Sequence, residues 1–362
     1  MIRRNALIVI CVVVFVFTTY LFTTTLSSNV YNSLKSTKSN KKGRANAAFV
    51  ILTTDDDLYG ILSSIRQMED RFNLRDSGGY DYVFLNERKF SKEFKKRTSA
   101  IISTHAYYGL VSPSDWQQPS WIDEDRAAAS RHLMVLDKTL HGESVPYRNM
   151  CRFFSGKFYN HPLLQPYDYY WRIEPNVEYT CDLDQDPFLA LQENGSQYGF
   201  TISILEFPDT IKTLWETVKD FMKDYPEHIA ANNSMGFISD NEGETFNGCH
   251  FWSNFEIGNL NFFRSKAYND FFNYLDKRGG FYYERWGDAP VHTIAAALLL
   301  PSDAILRMEP IGYNHEPYKH CPLGKKNWNR CSCRTVDSDI YHPHSCSRKW
   351  DVFVKHRSWQ IN

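Results

Sequence analysis

The sequence predicts an α/β domain whose central sheet is mostly parallel. Three observations carry this prediction. Residues 47–53, Ala-Ala-Phe-Val-Ile-Leu-Thr, form a short apolar run without polar alternation, the pattern of a strand buried on both faces. Residues 57–72 then place Leu58, Ile61, Leu62, Ile65, Met68 and Phe72 at helical spacing. Residues 80–85, Tyr-Asp-Tyr-Val-Phe-Leu, return to a strand pattern. A strand, a helix and a strand joined by short links make a βαβ unit, and that unit requires a parallel pair.

The remaining elements follow in order. Residues 99–105 and 169–173 are predicted strands, and residues 197–205 read as another. Residues 210–225 form a predicted helix with Leu214, Val218, Phe221 and Met222 on one face. Residues 268–277 form a second, stopped by Gly279-Gly280. Residues 289–300 are apolar and Ala-rich with His292 inside them, which predicts a buried helix. The last forty residues, rich in Cys, His, Pro and Trp, read as an irregular covering segment. No internal repeat is present. In a sheet of this kind, ligands bind beyond the carboxyl ends of the strands.

The amino-terminal end predicts a compartment. Residues 1–5 are short and basic, and residues 6–26 carry no charge. About 20 apolar residues span a bilayer as a helix. Arg3 and Arg4 precede the run, and positive flanks stay cytosolic, so the bulk of the chain is expected in a lumen. A cleaved signal peptide is the alternative, but no clear small-x-small cleavage site follows the run. Residues 27–45, rich in Ser, Asn, Lys and Thr, cannot bury a core and read as an extended stem. Residues 46–362 are then expected to form the folded luminal domain.

Composition narrows the function. The net charge of -1 excludes a chain built for nucleic acid. Aromatic residues reach 15%, which suits flat apolar sugar faces and also large cores. Of eight cysteines, Cys11 lies in the apolar run, leaving Cys151, Cys181, Cys249, Cys321, Cys331, Cys333 and Cys346. An oxidising lumen favours disulfides, and an odd number leaves at least one thiol outside them or pairing between chains. Sequons at Asn194-Gly195-Ser196 and Asn232-Asn233-Ser234 fit a luminal domain. No Walker loop, Gly-x-Ser-x-Gly elbow or His-Glu-x-x-His occurs, which weakens phosphoryl-transfer, lipase and metalloprotease readings.

Four segments could carry chemistry. In Tyr169-Tyr170-Trp171-Arg172-Ile173-Glu174-Pro175-Asn176-Val177 a strand runs into a proline that cannot continue a central ladder. Glu174 is thereby expected at a strand end, where a carboxylate can hold Mg²⁺ or Mn²⁺ against a diphosphate. The alternative is a solvated Glu on a surface turn. In His250-Phe251-Trp252-Ser253-Asn254-Phe255-Glu256-Ile257-Gly258 an acid stands among aromatic rings, which implies a raised pKa or a dedicated partner. It could face a sugar's anomeric carbon, or simply bond a backbone amide. In Tyr282-Tyr283-Glu284-Arg285-Trp286-Gly287-Asp288-Ala289-Pro290, Asp288 is a natural helix N-cap and could also bind acceptor hydroxyls. In Gly312-Tyr313-Asn314-His315-Glu316-Pro317, His315 could ligate a metal, though a lone His is more often structural.

Two tempting patterns are set aside. His315, His320, Cys321, Cys331, Cys333, His342, His344 and Cys346 suggest zinc, but their spacings match no common finger and a lumen favours disulfides. Asp55-Asp56-Asp57 mimics an acidic Asp-x-Asp metal motif, yet helix capping and dipole compensation account for it.

Taken together and in order, the four segments resemble the fungal Golgi α-1,2-mannosyltransferases, glycosyltransferase family 15. The resemblance spans residues 46–362, and its two long motifs are highly specific; the tail, anchor and stem also look like that family. It implies a single-pass type II Golgi membrane enzyme with a GT-A-like α/β fold, preceded by one transmembrane helix. It implies GDP-mannose as donor, Mn²⁺ as metal, retention of anomeric configuration, and mannosides on O- and N-linked glycoprotein glycans as acceptors. Glu174 matches the family's metal-binding acid and His315 its second metal ligand. Glu256 matches the acid proposed as nucleophile or as stabiliser of an oxocarbenium-like transition state. Tyr147, in Val145-Pro146-Tyr147-Arg148, matches a tyrosine near donor and acceptor, and Asp288 an acid near the acceptor pocket. Asn176 stands where a second carboxylate would complete the metal triplet, so the metal shell is thin. Arg172 is placed to orient Glu174 or a phosphate. A mannosylphosphate transferase on the same scaffold and a non-catalytic Golgi sugar-binding relative are the alternatives; an intact Glu174, Glu256 and His315 weigh against the second.

Overall fold

A strand that is apolar at every position is stable only between two layers, and β1 (Ala47–Leu52) is placed that way. The computed structural model describes residues 43–74, 79–324 and 330–354. The tail, apolar run and most of the stem lie outside the described residues. Among the described residues no helix is long and apolar enough to cross a membrane. Among the described residues, helices of eight residues or more are numbered α1 to α8, of which α3 is Glu124–Leu136.

Along β1, Ala48 and Val50 enter one core and Phe49 and Ile51 the other. Phe49, Val50 and Ile51 have no solvent exposure, and each such burial favours folding by about 1.5–3 kcal/mol. The first core receives α4 (Val145–Gly156), α5 (Leu214–Asp224), α6 (Lys266–Arg278) and α7 (Asp288–Leu299). The second receives α1 (Leu58–Met68) and α2 (Lys92–Ile101). The result is a sheet with helices on both faces.

That sheet has seven strands in the order β10-β6-β9-β4-β1-β2-β3. They are β1, β2 (Asp81–Asn86), β3 (Ala106–Leu110), β4 (Tyr169–Arg172), β6 (Tyr198–Phe200), β9 (Ile257–Asn259) and β10 (Ile305–Arg307). The β1–β2, β2–β3, β1–β4 and β10–β6 pairs are parallel, and only β9 runs against its neighbours β4 and β6. The expected mostly parallel α/β architecture is present, with this single reversal. A three-stranded antiparallel sheet, β12-β11-β5, joins Glu178–Tyr179 (β5), Tyr313–His315 (β11) and Tyr318–His320 (β12). A two-stranded sheet pairs Ser203–Leu205 (β7) with Cys249–Phe251 (β8).

Three expected elements differ. Residues 99–105 are not a strand. Ser91 caps α2 by accepting the Phe94 N–H at 3.0 Å, Phe94 and Thr98 bury one helical face, and the strand starts later, at Ala106. The apolar pair Ile101-Ile102 at the helix end imitates a strand. Residues 197–205 split into β6 and β7, which belong to different sheets. The helix expected from residue 210 begins at Leu214, after a 3-10 turn over Pro208–Thr210. Residues 58–73 and 266–278 are helical as expected, and Gly279 ends α6 at φ 73°, a left-handed conformation that suits glycine. All of α7 but Leu299 is buried.

The carboxyl-terminal segment is held by cross-links. Cys181–Cys331, Cys249–Cys346 and Cys321–Cys333 are disulfides, and Cys151 is free and buried. The segment is largely irregular, but it ends in a helix, α8 (Ser347–Val354), whose Trp350 packs on Phe200 and Phe251.

Candidate functional site

Because β9 is reversed, its amino end lies beside the carboxyl end of β4. The Arg172 N–H donates to the Glu256 carbonyl at 2.9 Å, which fixes residues 252–256 against that end. The amino terminus of α7 arrives at the same place. Three of the four segments singled out in the sequence therefore converge at one strand end, where α/β sheets bind ligands.

Arg172 is the hub. Its Nε donates to Glu174 Oε1 at 2.5 Å and its Nη1 to Asp288 Oδ2 at 2.6 Å. Its guanidinium lies 3.7 Å from the centre of the Phe154 ring. A planar fork can hold two carboxylates at fixed angles, which a lysine cannot. Burial alone would lower the Arg172 pKa, but Glu174 and Asp288 raise it well above the usual value. Asp288 also accepts from Ser253 Oγ at 2.7 Å. Burial pushes its carboxyl up, and Arg172, His292 and Ser253 pull it below the ordinary range.

Asp288 is thus not the N-cap of α7. That place belongs to Gly287, and Asp288 is the first helical residue, with its side chain turned to Arg172. The ion pair outcompetes the cap because a buried guanidinium must be neutralised.

Glu256 has no solvent exposure. Its Oε1 accepts from Tyr170 at 2.7 Å and its Oε2 from Tyr198 at 2.8 Å, and His292 Nδ1 lies 2.9 Å from Oε2. The expected dedicated partners are present. The carboxylate is enclosed by the rings that hold it. Burial and Glu256 together raise the pKa of both tyrosines.

Glu174 lies just past the end of β4, which stops at Arg172 rather than at the acid itself. It is half-buried. In the small sheet, Tyr313 pairs with Tyr179 and Asn314 with Glu178, so His315 lies opposite Val177, three residues beyond Glu174. His315 packs edge-on against Trp252 at 5.4 Å, and Tyr313 donates to the Asn254 carbonyl at 3.0 Å. The fourth segment is thereby tied to the same loop. Asn176 takes φ 59° and turns its side chain onto Gly60 of α1, where a Cβ would meet its amide at 2.7 Å. It does not add a donor beside Glu174.

The donor set fits a hard divalent ion. Glu174 Oε2 and His315 Nε2 make no hydrogen bond among the described residues, while Arg172 and the Glu316 carbonyl hold Glu174 Oε1 and His315 Nδ1. A carboxylate oxygen and an imidazole nitrogen, if both bound the ion, would leave most of a six-coordinate shell for a diphosphate and water.

Tyr147, on α4, stacks on His141 at 4.3 Å and accepts from Arg285 Nη1 at 3.3 Å. The nearby Cys151 and burial raise its pKa well above the ordinary value. Cys151 stands one turn further along α4, its own thiol pushed up by burial and by Asp288.

The patterns set aside in the sequence are accounted for. Asp57 Oδ2 accepts from the Thr54 N–H at 3.1 Å and from the Thr54 hydroxyl at 2.8 Å, and Asp55 accepts from the Ser91 N–H. All of the cysteines in the supposed zinc cluster are disulfide-bonded. The sulfurs of Cys181, Cys331 and Cys333 lie within 4.8 Å of one another, but as disulfides they offer no thiolate.

Sequence reasoning missed the partners: Tyr170, Tyr198, Ser253 and His292. One signal was available. Tyr170 and Arg172 are two apart on a strand, and Asp288 and His292 four apart on a helix, so each pair lies on one face at nearly equal rise.

Comparison with known proteins gives this geometry a family. The sequence profile of the glycolipid 2-alpha-mannosyltransferases matches residues 22–354. Glycolipid 2-alpha-mannosyltransferase 2 of Candida albicans is 49% identical over 312 residues, 86% of this chain and 67% of that protein. Alpha-1,2 mannosyltransferase KTR1 of Saccharomyces cerevisiae is 46% identical over 322 residues, covering 88% and 81%. Among solved structures, core-mannan synthase A of Aspergillus fumigatus, in an Mn/GDP form, superposes with TM-score 0.82 at 36% identity, covering 88% and 87%. The Saccharomyces cerevisiae mannosyltransferase Ktr4p in complex with GDP superposes with TM-score 0.83 at 35% identity, covering 89% and 84%. With most of its length matched and its characteristic segments gathered at one end of the sheet, the chain belongs to the glycolipid 2-alpha-mannosyltransferase family.

Proposed function

We propose that this protein transfers mannose from GDP-mannose to the 2-hydroxyl of a mannoside, with Mn²⁺ and with retention of configuration, during elongation of glycoprotein O- or N-glycans. The observation that carries the reading is the acid Glu174, held by Arg172 at the carboxyl edge of the sheet inside a family match that spans most of the chain. The activity named for the relatives supports the transferred sugar, and the GDP and Mn of the solved relatives support the donor and metal. The parallel strands with acids beyond their carboxyl ends suit a GT-A-like arrangement.

The chemistry follows from the residues. A divalent ion held by Glu174 and His315 would neutralise the diphosphate that leaves. Arg172 fixes Glu174 in place and keeps Asp288 ionised beside it. Asp288 and Tyr147 serve the acceptor side. Glu256 holds negative charge beneath the sugar rather than touching it. Its enclosure favours a front-face transfer over a covalent adduct: the C1–phosphate bond breaks, the C1–acceptor bond forms on the same face, and the acceptor proton passes to the leaving phosphate oxygen.

The same reading places the domain in the Golgi lumen, anchored through residues 6–26. Three disulfides support an oxidising compartment. The test uses purified full-length protein with GDP-mannose, methyl α-mannoside and either Mn²⁺ or a chelator. An α-1,2-linked dimannoside formed only with metal is expected. A product heavier by a phosphate indicates mannosylphosphate transfer, and no product at all removes the catalytic reading.

A further inference from the structure

Arg285 is a buried guanidinium without a full set of partners. It is 5% exposed, and its Nε has no hydrogen-bond partner. Its Nη1 reaches the Tyr147 hydroxyl at 3.3 Å, and its Nη2 stands 3.8 Å from Glu206 Oε1, an ion pair beyond hydrogen-bond distance. The guanidinium also lies over the Tyr147 ring at 5.4 Å. Arg172, by contrast, binds two carboxylates within 2.6 Å. A guanidinium left this loose in a buried place has capacity for further hydrogen bonds.

Its surroundings select the chemistry. Glu206 is half-buried, is held by the Phe207 N–H at 2.8 Å, and lies against Gly287, next to Asp288. His250, which is buried, has an unpartnered Nδ1, and burial holds its pKa below the ordinary value. The Glu206 carboxylate beside the guanidinium disfavours a phosphate. A sugar hydroxyl suits them, because it can donate to a carboxylate and accept from a guanidinium. Through Arg285 the cluster joins Tyr147, and through Glu206 it borders Gly287.

We propose that Arg285, braced by Glu206, is a positioning residue that fixes the Tyr147 phenol for the acceptor sugar and thereby sets the affinity for the acceptor. This rests on the mannosyltransferase reading above. Arg285 occupies one lone pair of the phenol and anchors its ring against His141. The side chains on α4 and before α7 are thus held in one arrangement.

The experiment measures steady-state kinetics of full-length protein, varying GDP-mannose and methyl α-mannoside separately, for R285K, E206Q, Y147F and R285K/Y147F. If Arg285 acts through Tyr147, R285K and E206Q raise the acceptor KM about 10-fold while the donor KM stays within about 2-fold. The double variant is then no worse than Y147F alone, since residues acting as a unit are non-additive. An unchanged acceptor KM in E206Q and R285K, a parallel rise of both KM values, or multiplied losses in the double variant overturns the proposal. Should R285K melt well below the wild type, E206Q decides, because glutamine can keep the Phe207 hydrogen bond. Wild-type protein that transfers no mannose sinks the functional reading instead, so the two failures are distinguishable.

Discussion

His292 and Glu256 form an ion pair sealed from solvent, with both side chains fully buried. His292 Nδ1 faces the Glu256 carboxylate at 2.9 Å, and Nε2 faces the Phe154 carbonyl at 2.9 Å. Both of these partners are acceptors, so both ring nitrogens must carry protons. The ring is therefore an imidazolium. Glu256 balances it and takes two further hydrogen bonds from Tyr170 and Tyr198. These hydrogen bonds offset part of the desolvation penalty of the buried charges.

The pair makes stability depend on pH. Burial lowers the His292 pKa, but Glu256 and Asp288 raise it further, and the net shift is upward from 6.5. A raised pKa in the folded state means that this stabilisation is complete below the unfolded value and is lost as pH rises through the folded one. Melting temperature should therefore fall as pH rises above 6.5, and this slope should flatten in H292Q. Melting curves at intervals across pH 6–9 check it, and an equal slope in both proteins refutes it.

Replacing Glu256 affects more than chemistry. E256Q removes the counter-charge of a buried imidazolium, and breaking one side of such a pair costs about 3–5 kcal/mol. We expect E256Q to lose transfer and to melt well below the wild type, with His292 shedding its proton. The double variant E256Q/H292Q should recover part of the stability and none of the activity. Calorimetry alongside the transfer assay tests this, and an E256Q protein with unchanged melting temperature would show that the pair is not an ion pair.

The Arg172 fork predicts a different pattern. Lysine can neutralise Glu174 or Asp288 but cannot hold both at fixed angles. Residues that orient a metal ligand are typically worth about 10–100-fold in metal affinity or activity. R172K should raise the Mn²⁺ concentration needed for half-maximal transfer by about that factor, and E174Q should raise it further. A metal titration of each variant decides, and an R172K curve that overlays the wild type contradicts the role given to the fork.

Much of this was legible in the residues, for physical reasons that also mark the limit. The apolar run at 47–53 predicted β1 because a strand between two layers needs no polar positions. The helix at 268–277 and its stop at Gly279 were legible because capping is local. The strand expected over residues 99–105 failed because Ile101-Ile102 closes an amphipathic helix whose cap, Ser91, lies eight residues upstream of Ser99. Residues 197–205 read as one strand because nothing local says that β6 and β7 join different sheets. Asp288 was read as a cap because its true partner, Arg172, lies 116 residues away. Glu256 was correctly expected to have a dedicated partner, but its enclosure depends on three side chains from three other elements. Chemistry set by neighbours along the chain could be read; chemistry set by contacts across the fold needed the structure.

The disulfides give the last prediction. Cys249–Cys346 joins β8, which leads into residues 252–256, to the segment before α8, across 97 residues. Cys321–Cys333 spans only 12. In the chain-entropy picture the stabilisation grows with loop length, to about 4.7 kcal/mol for the longer loop and about 3 kcal/mol for the shorter. The C249S/C346S variant should therefore lose more stability than C321S/C333S. The two should also separate in function. The short bridge closes the end of the small sheet that carries His315, so its loss should weaken Mn²⁺ dependence at modest cost in stability. The long bridge anchors the lead into the Glu256 loop, so its loss should lower both melting temperature and turnover. Denaturant titrations paired with metal titrations measure both effects, and an identical response of the two variants would argue that neither bridge is coupled to the site.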